Sequence, residues 1–272
     1  MKTKHNVFFI SHGGGPMPLL GDPSHKEMVN TLEKLAKSIE KPSAILLISA
    51  HWEEAVPTIT SSELPELIYD YYGFPEAAYH IQYPCAGSPK LASQVATALA
   101  QAGIEHQLDA QRGFDHGMFI PLKIMFPEAD IPCVQLSLAK SLEPSLHLNI
   151  GKALQSLEHE NLLVIGSGFS FHNMRAFFSQ GDREVDEKNL AFETWLRDTV
   201  SNKTLDESMR ASQLLDWASA PHARFCHPRE EHLMPLHVCY GLADSAADEQ
   251  LDVKILNRYS TMFAWFENSL LN

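Results

Sequence analysis

The nine residues AILLISAHW, Ala44–Trp52, decide the fold class. Ala44–Ala50 is a near-continuous apolar run rather than an alternating one, the pattern of a strand covered on both faces. Three more runs share its character: Val7–Ser11 (VFFIS), Ile131–Leu138 (IPCVQLSL) and Leu162–Gly166 (LLVIG). Helical patterns lie between them. Ser88-Pro89 opens one that continues through KLASQVATALAQA to Gly103, with serine as N-cap, proline in the first position and glycine as the stop. Others are expected near His25–Ser38, Glu143–Glu158 and Val185–Asn202. Strands alternating with helices predict one α/β domain over 1–272, with a largely parallel or mixed central sheet and helices on both faces.

In such sheets a ligand binds outside the carboxyl ends of the strands. The placement of histidine is therefore informative. His12 follows VFFIS, His51 follows AILLISA, and His172 lies just past LLVIG in GSGFSFHN. A lone histidine in such a place is more often structural. Three of the fourteen at strand ends or exit loops argue for a shared site. Imidazole is the commonest side-chain ligand for zinc and non-haem iron, binding through a neutral nitrogen. The glycines after His12 would let a substrate or another loop approach the backbone closely, or simply make a tight turn.

Composition excludes several classes. Apolar residues make up 44% and charged residues 20%, as in a globular domain. A formal charge of −13 without a basic run argues against nucleic acid or an anionic membrane surface as partner. No apolar run approaches the roughly 20 residues of a membrane span, and VFFI is shorter than a signal-peptide core, so a cytoplasmic protein is expected. Four scattered cysteines without a CxxC pair suggest neither a disulfide framework nor a thiolate zinc site.

Two segments hold histidine in unusual settings. RGFDHGMF places His116 between Asp115 and Gly117, in an expected loop before the apolar stretch Met118–Phe126. CHPREEHLMPLH gathers His227, Glu230, Glu231, His232 and His237; the last two are five apart and share a helix face poorly, and Pro235 places any helix start close by. This is not HExxH. Nor is HGGGP a GxGxxG or a phosphate loop, and Gly166-Ser167-Gly168 falls short of GxSxG.

Taken in order, SHGGGPMP, SAHW, YDYYGFP, YPCAGSP, GFDHGMFIPLKIMFPEADIPCVQLSL, GSGFSFHN and EEHLMPL resemble the class III extradiol ring-cleavage dioxygenases, in their LigB-type, 4,5-DOPA branch. The resemblance runs from His12 to Leu236. It implies metal ligands at His12, His51 and His232, and an active-site role for His172 as a fourth ligand or as the acid/base. It implies a pocket histidine and second proton-transfer candidate at His116, and a pocket loop carrying Tyr71, Tyr72 and Phe74. Many related sequences have an Asn-Pro-x-Pro-like stretch where this chain has His227-Pro228-Arg229-Glu230. Non-haem iron oxygenases usually combine two histidines with a carboxylate, so Glu231 stands beside His232 as the alternative third ligand.

The implied reaction opens a small, DOPA-like catechol with O2 to a muconic semialdehyde. Fe(II) is expected for activity, and Zn(II) in purified protein, because affinity favours zinc over ferrous iron. Two other readings use the same residues: a zinc hydrolase, and a non-catalytic relative that binds a partner through the cleft. The chain would act as a monomer or a homodimer.

Overall fold

The computed structural model describes residues 5–177, 179 and 181–267. In chain order the strands are β1 (Asn6–Ser11), β2 (Ala44–Glu54), β3 (Thr58–Thr60), β4 (Gln107–Asp109), β5 (Cys133–Ala139), β6 (Leu162–Gly168), β7 (Glu249–Ile255) and β8 (Arg258–Trp265). They form one sheet in the order β4-β3-β5-β2-β6-β1-β8-β7. The four apolar runs are its centre, β5-β2-β6-β1, and all three pairings there are parallel. Every residue of β1, β5 and β6 is buried, as runs covered on both faces require. Each such aliphatic side chain contributes about 1.5–3 kcal/mol through burial.

Antiparallel pairings flank that centre, β3 on β5 and β8 on β1, so the sheet is mixed. The β7–β8 hairpin turns at Leu256 and Asn257, both at positive φ (50° and 64°), the conformation that matches the twist of two strands joined by two residues.

The helices are α1 (Lys26–Lys37), α2 (Pro89–Gln101), α3 (His116–Met125), α4 (Pro144–Leu154), α5 (Met174–Phe177), α6 (Arg183–Val200), α7 (Glu207–Leu215), α8 (Ala223–Cys226) and α9 (Met234–Ala243). In α2, Ser88 accepts from the Leu91 N–H, Pro89 stands in the first turn, and Gly103 follows at φ 71°. His116 was expected in a loop and instead opens α3, whose first turn closes on the Asp115 carbonyl at 3.0 Å from the Met118 and Phe119 N–H groups.

Two features of β6 place the site. A Cβ on Gly166 would stand 2.7 Å from the Pro235 carbonyl oxygen, and one on Gly168 only 2.1 Å from that of His232. Both positions must be glycine for α9 and its preceding loop to lie on that face. Ser167 alternates to the opposite face, against α3. The GSG fragment is thus a packing device rather than part of a nucleophile elbow. Among the described residues no helix is long and apolar enough to cross a membrane.

Candidate active site

Backbone geometry delivers the first two imidazoles. His12 is the first residue past β1, and its N–H donates to the Gly168 carbonyl at 3.3 Å, so its Cα position follows from the β1–β6 ladder. His51 lies where β2 loses register with β5: pairing runs to Ile48–Leu136 and resumes at Glu53–Leu138. The intervening bulge re-aims the side chain. His12 Nε2 comes 3.0 Å from His51 Nε2.

The His12 tautomer can be deduced. Pro121 lies inside α3 and has no N–H for the Gly117 carbonyl four residues back. That carbonyl takes the Ser167 hydroxyl instead. Ser167 has one proton, so its Oγ accepts from His12 Nδ1, 3.1 Å away, which leaves Nε2 bare. Proline, serine and histidine, each on a different element, thereby fix one lone pair.

His116 projects from the start of α3 into the same cluster, its ring centroid 3.9 Å from that of His51 and 5.6 Å from that of His12. Asp70 accepts from both its Nδ1 (2.7 Å) and its backbone N–H (3.0 Å). Another oxygen of Asp70 lies 3.9 Å from His51 Nδ1. Burial raises the Asp70 pKa, but the hydrogen bonds and the charge of His116 together outweigh it and the carboxyl is held below its usual range. The adjacent Asp115 does not orient the His116 ring; it accepts from Ser49 at 2.8 Å and also binds Gln135 and Arg112.

His172 and His232 come from loops. Their rings stack at 3.4 Å and 15°. Glu231 Oε1 serves both, 3.0 Å from His232 Nδ1 and 3.3 Å from His172 Nδ1. Burial opposes ionisation of Glu231, yet the bonds from His172 and His232 prevail and its pKa falls. The loop itself is anchored to the exit of β6, where the Phe169 N–H donates to the His232 carbonyl at 2.9 Å.

Burial, then the neighbouring rings, push His12 and His51 well below the usual histidine range, and push His232 to about 3. These imidazoles are neutral, the form that binds metal. With Nδ1 of His12 engaged, the bare Nε2 of His12 faces His51 Nε2 at 3.0 Å, within the roughly 2.9–3.4 Å expected between neighbouring nitrogens on one metal ion. The donor set thus fits a divalent cation. Candidate ligand atoms of His12, His51 and His116 lie within 4.8 Å of one another, as do those of His172, Glu231 and His232.

The remaining candidates fall outside the cluster. His237 is buried in α9 with its nitrogens on the Leu214 and Leu233 carbonyls, and His227 Nε2 donates to the Ser170 carbonyl at 2.7 Å. Tyr72 is 92% exposed, whereas its neighbour Tyr71 packs 5.6 Å from the His116 ring and donates to the Ala78 carbonyl. Phe74 is half-buried against Tyr71 and near Gly15. The glycine loop is crowded by the protein itself: a Cβ on Gly13 (φ 79°) would meet Pro18 and His25 within 2.9 Å. His25 Nε2 accepts from the Gly14 N–H, and its Nδ1 donates to Asp22. All four cysteines are free and buried.

Asp70, Ser167, Pro121 and His25 carried no signal of these roles in the sequence. Asp70 lies inside YDYYGFP and Ser167 inside GSG, but the contacts that define them cross 46 and 155 positions.

Five imidazoles clustered beside the carboxyl ends of the parallel strands, four of them with an outer nitrogen held by a carboxylate or a hydroxyl, have the donor chemistry of a metal-dependent enzyme. Residues 6–266 match the family model described as the catalytic LigB subunit of aromatic ring-opening dioxygenase. The chain is 40% identical to Dioxygenase tasH of Hapsidospora irregularis, over 93% of this chain and 84% of that protein. It is 38% identical to the 4,5-DOPA dioxygenase extradiol of Beta vulgaris, over 92% of each. A crystal structure of an uncharacterized Escherichia coli K12 protein superposes with a TM-score of 0.77 at 26% identity, covering 96% of this chain and 99% of that one. The chain belongs to the LigB family. It is an extradiol, ring-cleaving dioxygenase, metal-dependent as that family is, and neither the hydrolase nor the non-catalytic reading is favoured.

Proposed function

We propose that the chain opens a DOPA-like catechol with O2 to a muconic semialdehyde, using Fe(II) held by His12, His51 and His232, with His172 and His116 moving protons. The observation that carries the His12–His51 pair is the 3.0 Å approach of their Nε2 atoms, the former bare, and His232 is joined to it by a ring whose centroid lies 5.2 and 5.1 Å from theirs. Glu231 is left out of the set because its Oε1 is engaged on the Nδ1 atoms of His172 and His232. The DOPA-like substrate is supported by relatives named 4,5-DOPA dioxygenase extradiol. A metal at these residues supplies acidification of the catechol hydroxyl and, if it is iron, one-electron exchange between ring and dioxygen, which redox-inert zinc cannot. Purified protein carries zinc on this reading, because affinity favours it.

The chain's own groups handle the protons. Asp70 fixes the proton of His116 on Nδ1, and Glu231 does the same for His172. Each ring then presents Nε2 as a base, and each carboxylate stabilises the imidazolium that forms. His172 is assigned the acid/base role first and His116 second. Tyr71 closes one wall beside His116, with Phe74 behind it.

The test is oxygen uptake by metal-stripped protein refilled anaerobically with Fe(II) or Zn(II) and given L-DOPA or simple catechols. Uptake with iron alone, with a product that gains two oxygen atoms, supports the proposal. Equal turnover with zinc, or none with any catechol, overturns it.

A further inference from the structure

Arg229 takes part in none of the chemistry above, yet it joins the two halves of the site. Its Nη1 and Nη2 donate to the two carboxylate oxygens of Glu53, at 2.6 and 2.5 Å, in a bidentate fork. Glu53 lies on β2 two residues past His51, just beyond the bulge. The same Nη1 stands 3.4 Å from Glu231 Oε2, while Glu231 Oε1 holds the Nδ1 atoms of His172 and His232. One guanidinium therefore connects the strand that carries His51 to the carboxylate that orients two other imidazoles.

The loop has other anchors, but they lead elsewhere. The Phe169 N–H bonds the His232 carbonyl, His227 bonds the Ser170 carbonyl, and the His172 N–H bonds the Cys226 carbonyl, all on the exit of β6. Among the described residues, the hydrogen bonds and ion pairs from this loop to β2 are those of Arg229. Charge adds to the argument. Glu53, Glu230 and Glu231 crowd one rim, and of the three carboxylates Arg224 pairs with Glu230, at 2.9 Å. Without Arg229, Glu53 and Glu231 would have no cation between them and would repel.

We propose that Arg229 is a positioning residue, a clasp that sets the spacing between His51 and His232 and keeps Glu231 on the two Nδ1 atoms. The proposal rests on the ligand set given above. Lysine cannot replace it fully, because a single ammonium cannot present the planar fork that Glu53 accepts while also reaching Glu231. The clasp contributes little to folding, since it lies on the rim and its side chain is 52% exposed. Its effect should be seen in metal binding.

The experiment measures zinc affinity by chelator competition in wild type, R229Q, R229K, E53Q and H51A, together with melting of the metal-free proteins. R229Q should weaken zinc binding about 10–100-fold, the usual consequence of losing an outer partner of a ligand. R229K should recover part of the loss, and E53Q should move in the same direction. Melting of metal-free R229Q should shift by no more than about 2–4 °C. Zinc affinity unchanged in R229Q overturns the clasp while leaving the ligand set intact. A rise in KM confined to catechols that carry a carboxylate, with zinc affinity unchanged, also overturns it and assigns Arg229 to the substrate. H51A that binds zinc as tightly as wild type overturns the ligand set and the clasp together.

Discussion

The two halves of the site are held by different means. His12 stands just past the end of β1 and His51 in the bulge of β2, so strand backbone places both before any side chain contributes. His172 and His232 stand on loops, and a shared carboxylate holds their rings. A ligand on a strand end inherits the rigidity of the sheet. A ligand on a loop has to be fixed by side chains, so its environment is richer in charge. Outer partners should accordingly matter more on the loop side.

The largest effects come from breaking the strand half outright. H12A and H51A should lose bound metal and all ring-opening activity, read by metal analysis after dialysis; stoichiometric metal in either variant would contradict the ligand set. H172A comes next. It should retain metal while kcat falls about 10²–10⁴-fold, the usual contribution of a positioned acid or base. Loss of metal in that variant would make His172 a ligand.

The comparison is sharpened by the outer partners. E231Q removes a carboxylate that serves two rings and should lower metal affinity about 10–100-fold. S167A frees only the His12 tautomer, on a residue the backbone already places, and its loss should be smaller than that of E231Q when both are titrated with zinc. Equal losses would refute the distinction between the halves.

A last effect, with no bearing on metal binding, concerns a histidine outside the cluster. His147 packs behind the end of β5, its Nε2 accepting from the Ala139 N–H and its Nδ1 donating to the Glu143 carbonyl. Only the neutral ring can do both. Burial lowers its pKa to about 4. Because the folded value lies below the unfolded one, its contribution is full above pH 6.5 and is lost as pH falls through 4. That loss, about 3 kcal/mol over the whole range, should largely disappear in H147Q when stability is measured by urea unfolding across it.

The centre of the sheet was legible because β1, β2, β5 and β6 are apolar throughout, and burial on both faces demands that composition. The outer strands were not. β3 and β4 have three residues each, and β7 (EQLDVKI) exposes most of its length, so neither gives the pattern of a covered strand. The five clustered histidines could be read from strand-end placement and family resemblance together. What held them could not. Asp70, Ser167 and Pro121 act through contacts across the fold, and Tyr71 and Tyr72 differ only in which way an extended segment turns them. His116 was misplaced into a loop because its helix carries glycine and proline among apolar residues, a poor helical pattern.

Strand β1 lies between β6 and β8, so the earliest of the eight described strands in chain order is enclosed by two of the latest. At about 5–20 residues per second a ribosome needs many seconds to pass from His12 to His232. For most of that interval His12 and His51 are present without the loop that completes their set. Until that loop is made, a cation met by His12 and His51 of the nascent chain is held without His232. Choice of metal therefore belongs to the finished protein and to the ions available after its release, not to the order in which its histidines are made.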